Sequence, residues 1–168
     1  MARFFLAIWP DAGAGAALER LAHDVALVAE GRAVERASIH LTLAFLGEVE
    51  KAREAAIHGV AHASTSVRPF RLLLDRVGSF RRARVAWAGP SQVPEELTLL
   101  QSGLEQGLRD GGIKLEDRPY RAHVTLARKV AKPLPMAAIQ PVELICQAFA
   151  LVVSAGGRYT TVASWPLG

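Results

Sequence analysis

Two short segments of this chain carry the same pattern of side chains. His40-Leu41-Thr42-Leu43-Ala44 recurs as His123-Val124-Thr125-Leu126-Ala127, 83 residues further on. Imidazole is the side chain whose ordinary pKa lies nearest neutrality, so two histidines can divide a proton transfer, one ring accepting while the other donates. In an extended strand alternate side chains share a face, so the His and Thr of each copy project together and the aliphatic residues between them project to the other side. Each copy thus presents an imidazole beside a hydroxyl, on a strand whose reverse face can be anchored in a core. That set suits metal-free phosphodiester chemistry. One histidine takes a proton from the attacking oxygen and the other gives one to the leaving oxygen. The hydroxyls of Thr42 and Thr125 can donate to the non-bridging oxygens where charge builds up. Spacing alone does not assign acid and base between His40 and His123.

Both copies need strands to hold them, and the surrounding sequence supplies candidates. Residues 3–9 read as a buried strand, and Pro10-Asp11 opens an Ala-rich helix whose Leu18, Leu21, Val25 and Val28 recur at helical spacing up to Gly31. The first motif lies in a strand at 39–46, followed by a helix over 49–63 and a strand over 70–77. A turn around Gly78 to Arg82 leads to a second arm at 84–88, stopped by Gly89-Pro90. Pro94 starts a helix at Glu95 with Leu97, Leu100, Leu104 and Leu108 on one face, ended by Gly111-Gly112. Strands are then expected at 123–127, 144–154 and 159–164, and the Pro-containing stretch 132–141 reads as a surface connection. Strands and helices mix without strict alternation, so the expected fold class is α+β with largely antiparallel sheets, in one domain spanning 1–168.

Composition narrows the classes of function. The chain has 168 residues, 51% hydrophobic and 21% charged, which excludes a disordered tail or a fibre and gives enough length to bury a core without cross-links. The single cysteine, Cys146, has no partner in the chain and sits in an apolar run, so it is expected in the core. The net charge of +4, carried by sixteen arginines against four lysines, biases the surface toward phosphate-bearing partners. The apolar run Phe4 to Trp9 is too short for a signal peptide and no stretch approaches a membrane span, so the expected location is cytoplasmic, without membrane association. A monomer is the default expectation.

Other motifs are set aside on chemistry. His58 and His62 lie four apart, but Gly59 stands where a metalloprotease pattern requires glutamate, and no third ligand is indicated; surface histidines are expected, with no metal and no cofactor. Gly13-Ala14-Gly15 lacks the third glycine and the parallel-sheet context of a dinucleotide site. Ser79, Ser154 and Cys146 lack the surroundings of a covalent nucleophile. Arg81, Arg82 and Arg84 around Phe80, and Arg118 and Arg121 around Tyr120, read either as a cleft rim that attracts RNA or as a solvated surface.

The two His-x-Thr motifs, together with Arg3-Phe4-Phe5-Leu6-Ala7-Ile8, Arg84-Val85-Ala86-Trp87, Leu151-Val152-Val153-Ser154 and Gly157-Arg158-Tyr159, resemble the two-histidine (2H) phosphoesterase superfamily, and within it the RNA 2',3'-cyclic phosphodiesterases, or 2'-5' RNA ligase-like proteins. The resemblance implies a bilobal fold, two pseudo-symmetric antiparallel sheets with outer helices around a central cleft. It also implies metal-independent hydrolysis of an RNA 2',3'-cyclic phosphate end to a 2'-phosphomonoester, with His40 as general acid, His123 as general base, and reverse 2'-5' ligation open to the same groups. A small cyclic nucleotide as substrate and non-catalytic binding of RNA ends are the alternatives. The resemblance further implies that Arg128 holds the phosphate. Strict alternation from His123 would turn Arg128 to the opposite face, so this expectation requires a bulge, a twist or a long reach. Two departures from the family stand out: Ala122 replaces the usual proline before the second histidine, and the segment Ala155 to Gly157 is short.

Overall fold

The computed structural model describes residues 2–168. Along the chain come β1 (Arg3–Ile8), α1 (Ala12–Ala29), β2 (Arg32–Ala33), β3 (Leu41–Gly47), α2 (Glu54–Ala63), β4 (Phe70–Phe80), β5 (Val85–Gly89), α3 (Glu95–Asp110), β6 (Val124–Arg128), β7 (Ala137–Cys146), β8 (Ala148–Ala155) and β9 (Arg158–Pro166). The strand pairings are antiparallel throughout, as expected for the α+β class.

The strands form two sets of four, β3-β1-β8-β9 and β7-β4-β5-β6, and these join where β3 meets β6 through one Cα pair, Leu41 with Val124. Beyond that pair the strands part, and the free edge of β6 is taken by the short β2, Arg32 beside Arg128 and Ala33 beside Ala127. The bilobal expectation is therefore met, with the two motif strands innermost. Leu41 and Val124 are fully buried, so the residues that flank them, His40 and Thr42 on one strand and His123 and Thr125 on the other, face away from the core.

Two helices, α1 and α3, brace these strands from behind, each crossing to the other lobe. Asp11 caps α1, its carboxylate accepting from the Ala14 amide at 3.2 Å. The helix buries Leu18, Ala22, Val25 and Ala29 and packs on β6 and β7 of the second lobe, although its preceding strand belongs to the first. α3 follows Pro94, opens with Glu95 and Glu96, and buries Leu97, Leu100, Leu104 and Leu108 against β3 of the first lobe and against α2. Each leucine contributes roughly 1.5–3 kcal/mol by leaving water, so both motif strands rest on a continuous apolar core.

Several expected elements change in detail. The apolar run 144–154 is two strands: the chain crosses from the second lobe (β7) to the first (β8) at Gln147, whose carbonyl accepts from the Leu167 amide at 2.8 Å. No Gly or Pro marks that crossing, so hydrophobicity reads through it. The stretch 132–141 is a connection only to Ala137, where β7 begins; β7 is an outer strand, where Pro141 is tolerated. β4 continues to Phe80 and the turn falls at 81–84, with Arg84 at φ +55°. The helix expected from Val49 starts at Glu54 after a 3-10 turn, and β2 was not anticipated. The short segment at Ala155–Gly157 is a two-residue hairpin turn: Ala155 pairs with Arg158, and Gly156 and Gly157 take φ +58° and +76°, a left-handed pair that matches the twist of β8 and β9.

Candidate active site

The four motif residues and Arg128 line one cleft of about 610 Å³ between the lobes, together with Arg3, Phe5, Phe45, Lys114, Glu48, Glu116 and Tyr159 among others. The two histidines are held in the same way. His40 Nδ1 donates to the Ser38 carbonyl at 2.7 Å, and His123 Nδ1 donates to the Arg121 carbonyl at 2.8 Å, each two residues back along the chain. A carbonyl can only accept, so Nδ1 carries the hydrogen in both rings and Nε2 is left to exchange protons. His40 Nε2 lies 2.9 Å from Thr42 Oγ1. With Ala122 before it, the second motif keeps the same Nδ1 tether.

Burial holds both imidazoles below the ordinary histidine range. For His40 the Ser38 bond opposes that effect while the charges of Arg128 and His123 add to it; for His123 the Arg121 bond opposes it and Arg128 adds to it. Below the ordinary value the neutral form gains at neutral pH, which suits a general base. A bound phosphate dianion or monoanion would pull the other way, restoring the protonated form that a general acid needs.

Arg128 reaches the cleft because neither motif strand is regular. Across from β5, Trp87 pairs with Thr125 but Ala86 pairs with Ala127, leaving Leu126 as an extra residue. Across from β1, Ala7 pairs with Thr42 but Leu6 pairs with Ala44, leaving Leu43 extra. Each bulge falls three residues after the histidine, buries two consecutive apolar residues, and resets the alternation. The residue five beyond each histidine then returns to the cleft: Arg128 in one copy and Phe45 in the other.

The surroundings of the two rings differ. Phe5, Trp9 and Tyr159 enclose His40, with centroids at 4.8, 5.7 and 5.5 Å. Phe5 also belongs to a small apolar floor with Ala7, Ala150 and Val152. His123 meets the edge of Phe80 at 4.9 Å and 88°; Phe80 in turn lies against Trp87 and under the Arg121 guanidinium. Trp87 is accommodated by its cross-strand partner Gly78, where a Cβ would lie 2.6 Å from the indole.

The aromatic enclosure was not anticipated from the sequence, and neither were Arg3 and Lys114 as the other basic residues lining the cleft. Of the arginines suggested for a rim, Arg121 comes nearest through Phe80, Arg84 donates to the Val130 carbonyl, Arg118 pairs with Glu116, and Arg81 and Arg82 are exposed in the β4–β5 turn. Cys146 is buried, and His58 and His62 are exposed, His58 against the edge of Trp165. Among the described residues no group of three His, Cys, Asp or Glu side chains has the arrangement of a metal site, and no helix is long and apolar enough to cross a membrane.

Known proteins are similar to this chain in sequence and fold. A model of the 2'-5' RNA ligase superfamily matches residues 9–158. The RNA 2',3'-cyclic phosphodiesterase of Escherichia coli is 32% identical over 145 residues, 82% of this chain and 80% of the relative; that of Archaeoglobus fulgidus is 30% identical over 75% and 72%. The E. coli LigT structure complexed with 3'-AMP superposes with a TM-score of 0.86 at 30% identity, covering 98% of this chain and 97% of the other.

Proposed function

Because the chain belongs to the 2'-5' RNA ligase superfamily, we propose that it hydrolyses RNA ends bearing a 2',3'-cyclic phosphate to 2'-phosphomonoesters, without a metal. The observation that carries this reading is the pair of histidines in one cleft, each with Nδ1 fixed on a carbonyl so that Nε2 is the nitrogen that exchanges protons, in His40 beside the Thr42 hydroxyl. Water attacks phosphorus as His123 Nε2 takes its proton. The P–O3' bond breaks as His40 Nε2 protonates the leaving 3'-oxygen, and the two rings end with their protonation states exchanged. This division of roles follows the resemblance of the motifs.

The Thr42 and Thr125 hydroxyls and the Arg128 guanidinium serve the non-bridging oxygens, whose charge grows as water adds. The opposite end of the cleft offers the half-exposed ring of Phe45, on which a nucleobase can stack. Substrate thus lies with its phosphate toward Arg128 and its base toward Phe45. Ligation puts a 5'-hydroxyl in the place of the attacking water, with His123 taking its proton and His40 protonating the leaving 3'-oxygen as before, and the large excess of water makes hydrolysis dominant.

The test is incubation of a short RNA ending in a 2',3'-cyclic phosphate with the protein in excess chelator, with the 2'- and 3'-phosphate products resolved. The expected product is the 2'-phosphate, lost in both His40→Ala and His123→Ala while the circular dichroism of each variant stays that of the parent. A 3'-phosphate product would reverse the leaving group, and full activity in either variant would remove the histidine from the mechanism. Adenosine 2',3'-cyclic phosphate run in parallel tells whether a mononucleotide suffices.

A further inference from the structure

The catalytic reading requires that His40 and His123, which belong to different lobes, keep a fixed separation. Yet the strands that carry them share one Cα pair, Leu41 with Val124. Past that pair the backbone of β3 turns an acceptor toward a neighbour that has already diverged, and an unpaired buried carbonyl is costly. Tyr120 fills the gap. It lies three residues before His123, on the segment that enters β6, and its hydroxyl donates to the Thr42 carbonyl at 2.7 Å. Thr42 in turn places its Oγ1 2.9 Å from His40 Nε2. A single phenol thereby links the second motif to the backbone of the first.

We infer that Tyr120 is a positioning residue: by holding the Thr42 carbonyl its hydroxyl sets the separation and mutual orientation of the two motif strands. The inference rests on the proposed roles of His40 and His123. Tyr120 is not among the residues lining the cleft, so it acts through Thr42 and not on the substrate. Burial raises its pKa well above the ordinary tyrosine value, so the phenol remains a hydrogen-bond donor throughout the range in which the histidines titrate. A second tie at the lobe junction supports the same geometry from behind. There the Asp11 carboxylate, which already caps α1, accepts from the Ile145 amide at 3.0 Å, next to the point where the chain crosses between lobes. On top of the helices and core that hold the lobes together, these two ties and one backbone pair refine the strand geometry toward a near-attack arrangement, whose displacement by about 1 Å can cost about 10² in rate.

Tyr120→Phe keeps the ring and removes the tie. With adenosine 2',3'-cyclic phosphate as probe, kcat is expected to fall about tenfold, 1.4 kcal/mol at the barrier, with KM within twofold of the parent. In the substrate-free protein the His40 ring resonances and their titration, followed by NMR, are expected to move, while the chemical shifts of the His58 ring stay in place. A lower melting temperature with unchanged kcat and an unmoved His40 would make Tyr120 part of the fold alone and overturn the inference. So would a rise in KM at constant kcat, which would place the residue in binding. If the parent protein fails to turn over any cyclic phosphate, the proposed function fails by itself; the NMR comparison still decides whether the tie positions His40.

Discussion

The bulge at Leu126 makes a prediction that a regular strand would reverse. With strict alternation from His123, the cleft face would carry Thr125, Ala127 and Lys129, and Arg128 would point to the other side. The extra residue between the pairs Trp87–Thr125 and Ala86–Ala127 buries both Leu126 and Ala127 and returns Arg128 to the cleft. Arg128→Ala and Lys129→Ala therefore separate the two geometries. A hydrogen bond to a charged group is worth about 1.5–3 kcal/mol, and at 1.4 kcal/mol per tenfold the Arg128 variant should lose roughly 10- to 150-fold in kcat/KM on a cyclic-phosphate substrate. Lys129→Ala should stay within twofold. The pH profile gives an independent reading. The Arg128 charge lowers both histidine pKa values, so its removal raises both. Activity needs one ring neutral and the other protonated, which gives a bell, and both limbs of that bell should move to higher pH in Arg128→Ala. The assay is kcat/KM across pH 4.5 to 8.5 at fixed ionic strength, on the order of half a unit per step. Equal damage from the two variants, or Arg128→Ala with rate and limbs in place, would refute the assignment of Arg128 to the cleft.

Thr42→Val and Thr125→Val remove one hydroxyl each while keeping the β-branched shape, and each should lower kcat by about 10² to 10³; values within threefold of the parent would reject the threonines as donors to the phosphoryl oxygens. Gly78→Ala should destabilise the protein by about 1–3 kcal/mol through overpacking, because its Cβ would meet the Trp87 indole at 2.6 Å. Urea unfolding measures this, and a midpoint equal to the parent's would mean that Trp87 moves aside freely.

The parts of the site that were legible in the sequence are those encoded within a few residues. The His-x-Thr alternation is local, and so is the periodicity of the leucines in α3, so both could be read before any fold was known. The face occupied by Arg128 could not, since a bulge depends on the register against β5 and leaves no residue-type signature in Leu126. The enclosure of His40 was hidden for a related reason. Phe5, Trp9 and Tyr159 are far from His40 in the chain, and they meet it because β1 lies between β3 and β8, an order that periodicity does not contain. Tyr120 was legible only as the aromatic residue between Arg118 and Arg121 on an expected rim or solvated surface; nothing in its neighbours said that its hydroxyl would meet the other lobe.

The sequence repeat also makes the site look more symmetric than it is. Tethers, hydroxyls and bulges all recur in both copies, and a twofold site of that kind would bind a cyclic phosphate equally well in two orientations related by the pseudo-axis. The symmetry breaks around the rings, where three aromatic side chains enclose His40 and Phe80 meets His123, and again five residues after each histidine, where one copy has Phe45 and the other Arg128. An exposed ring on one side and a guanidinium on the other select one of those orientations. Because the orientation decides which ring faces the 3'-oxygen, in the proposed mechanism the acid and base roles of the two histidines follow from residues that take part in neither proton transfer: Phe45 and Arg128, and the aromatic rings that enclose His40 alone.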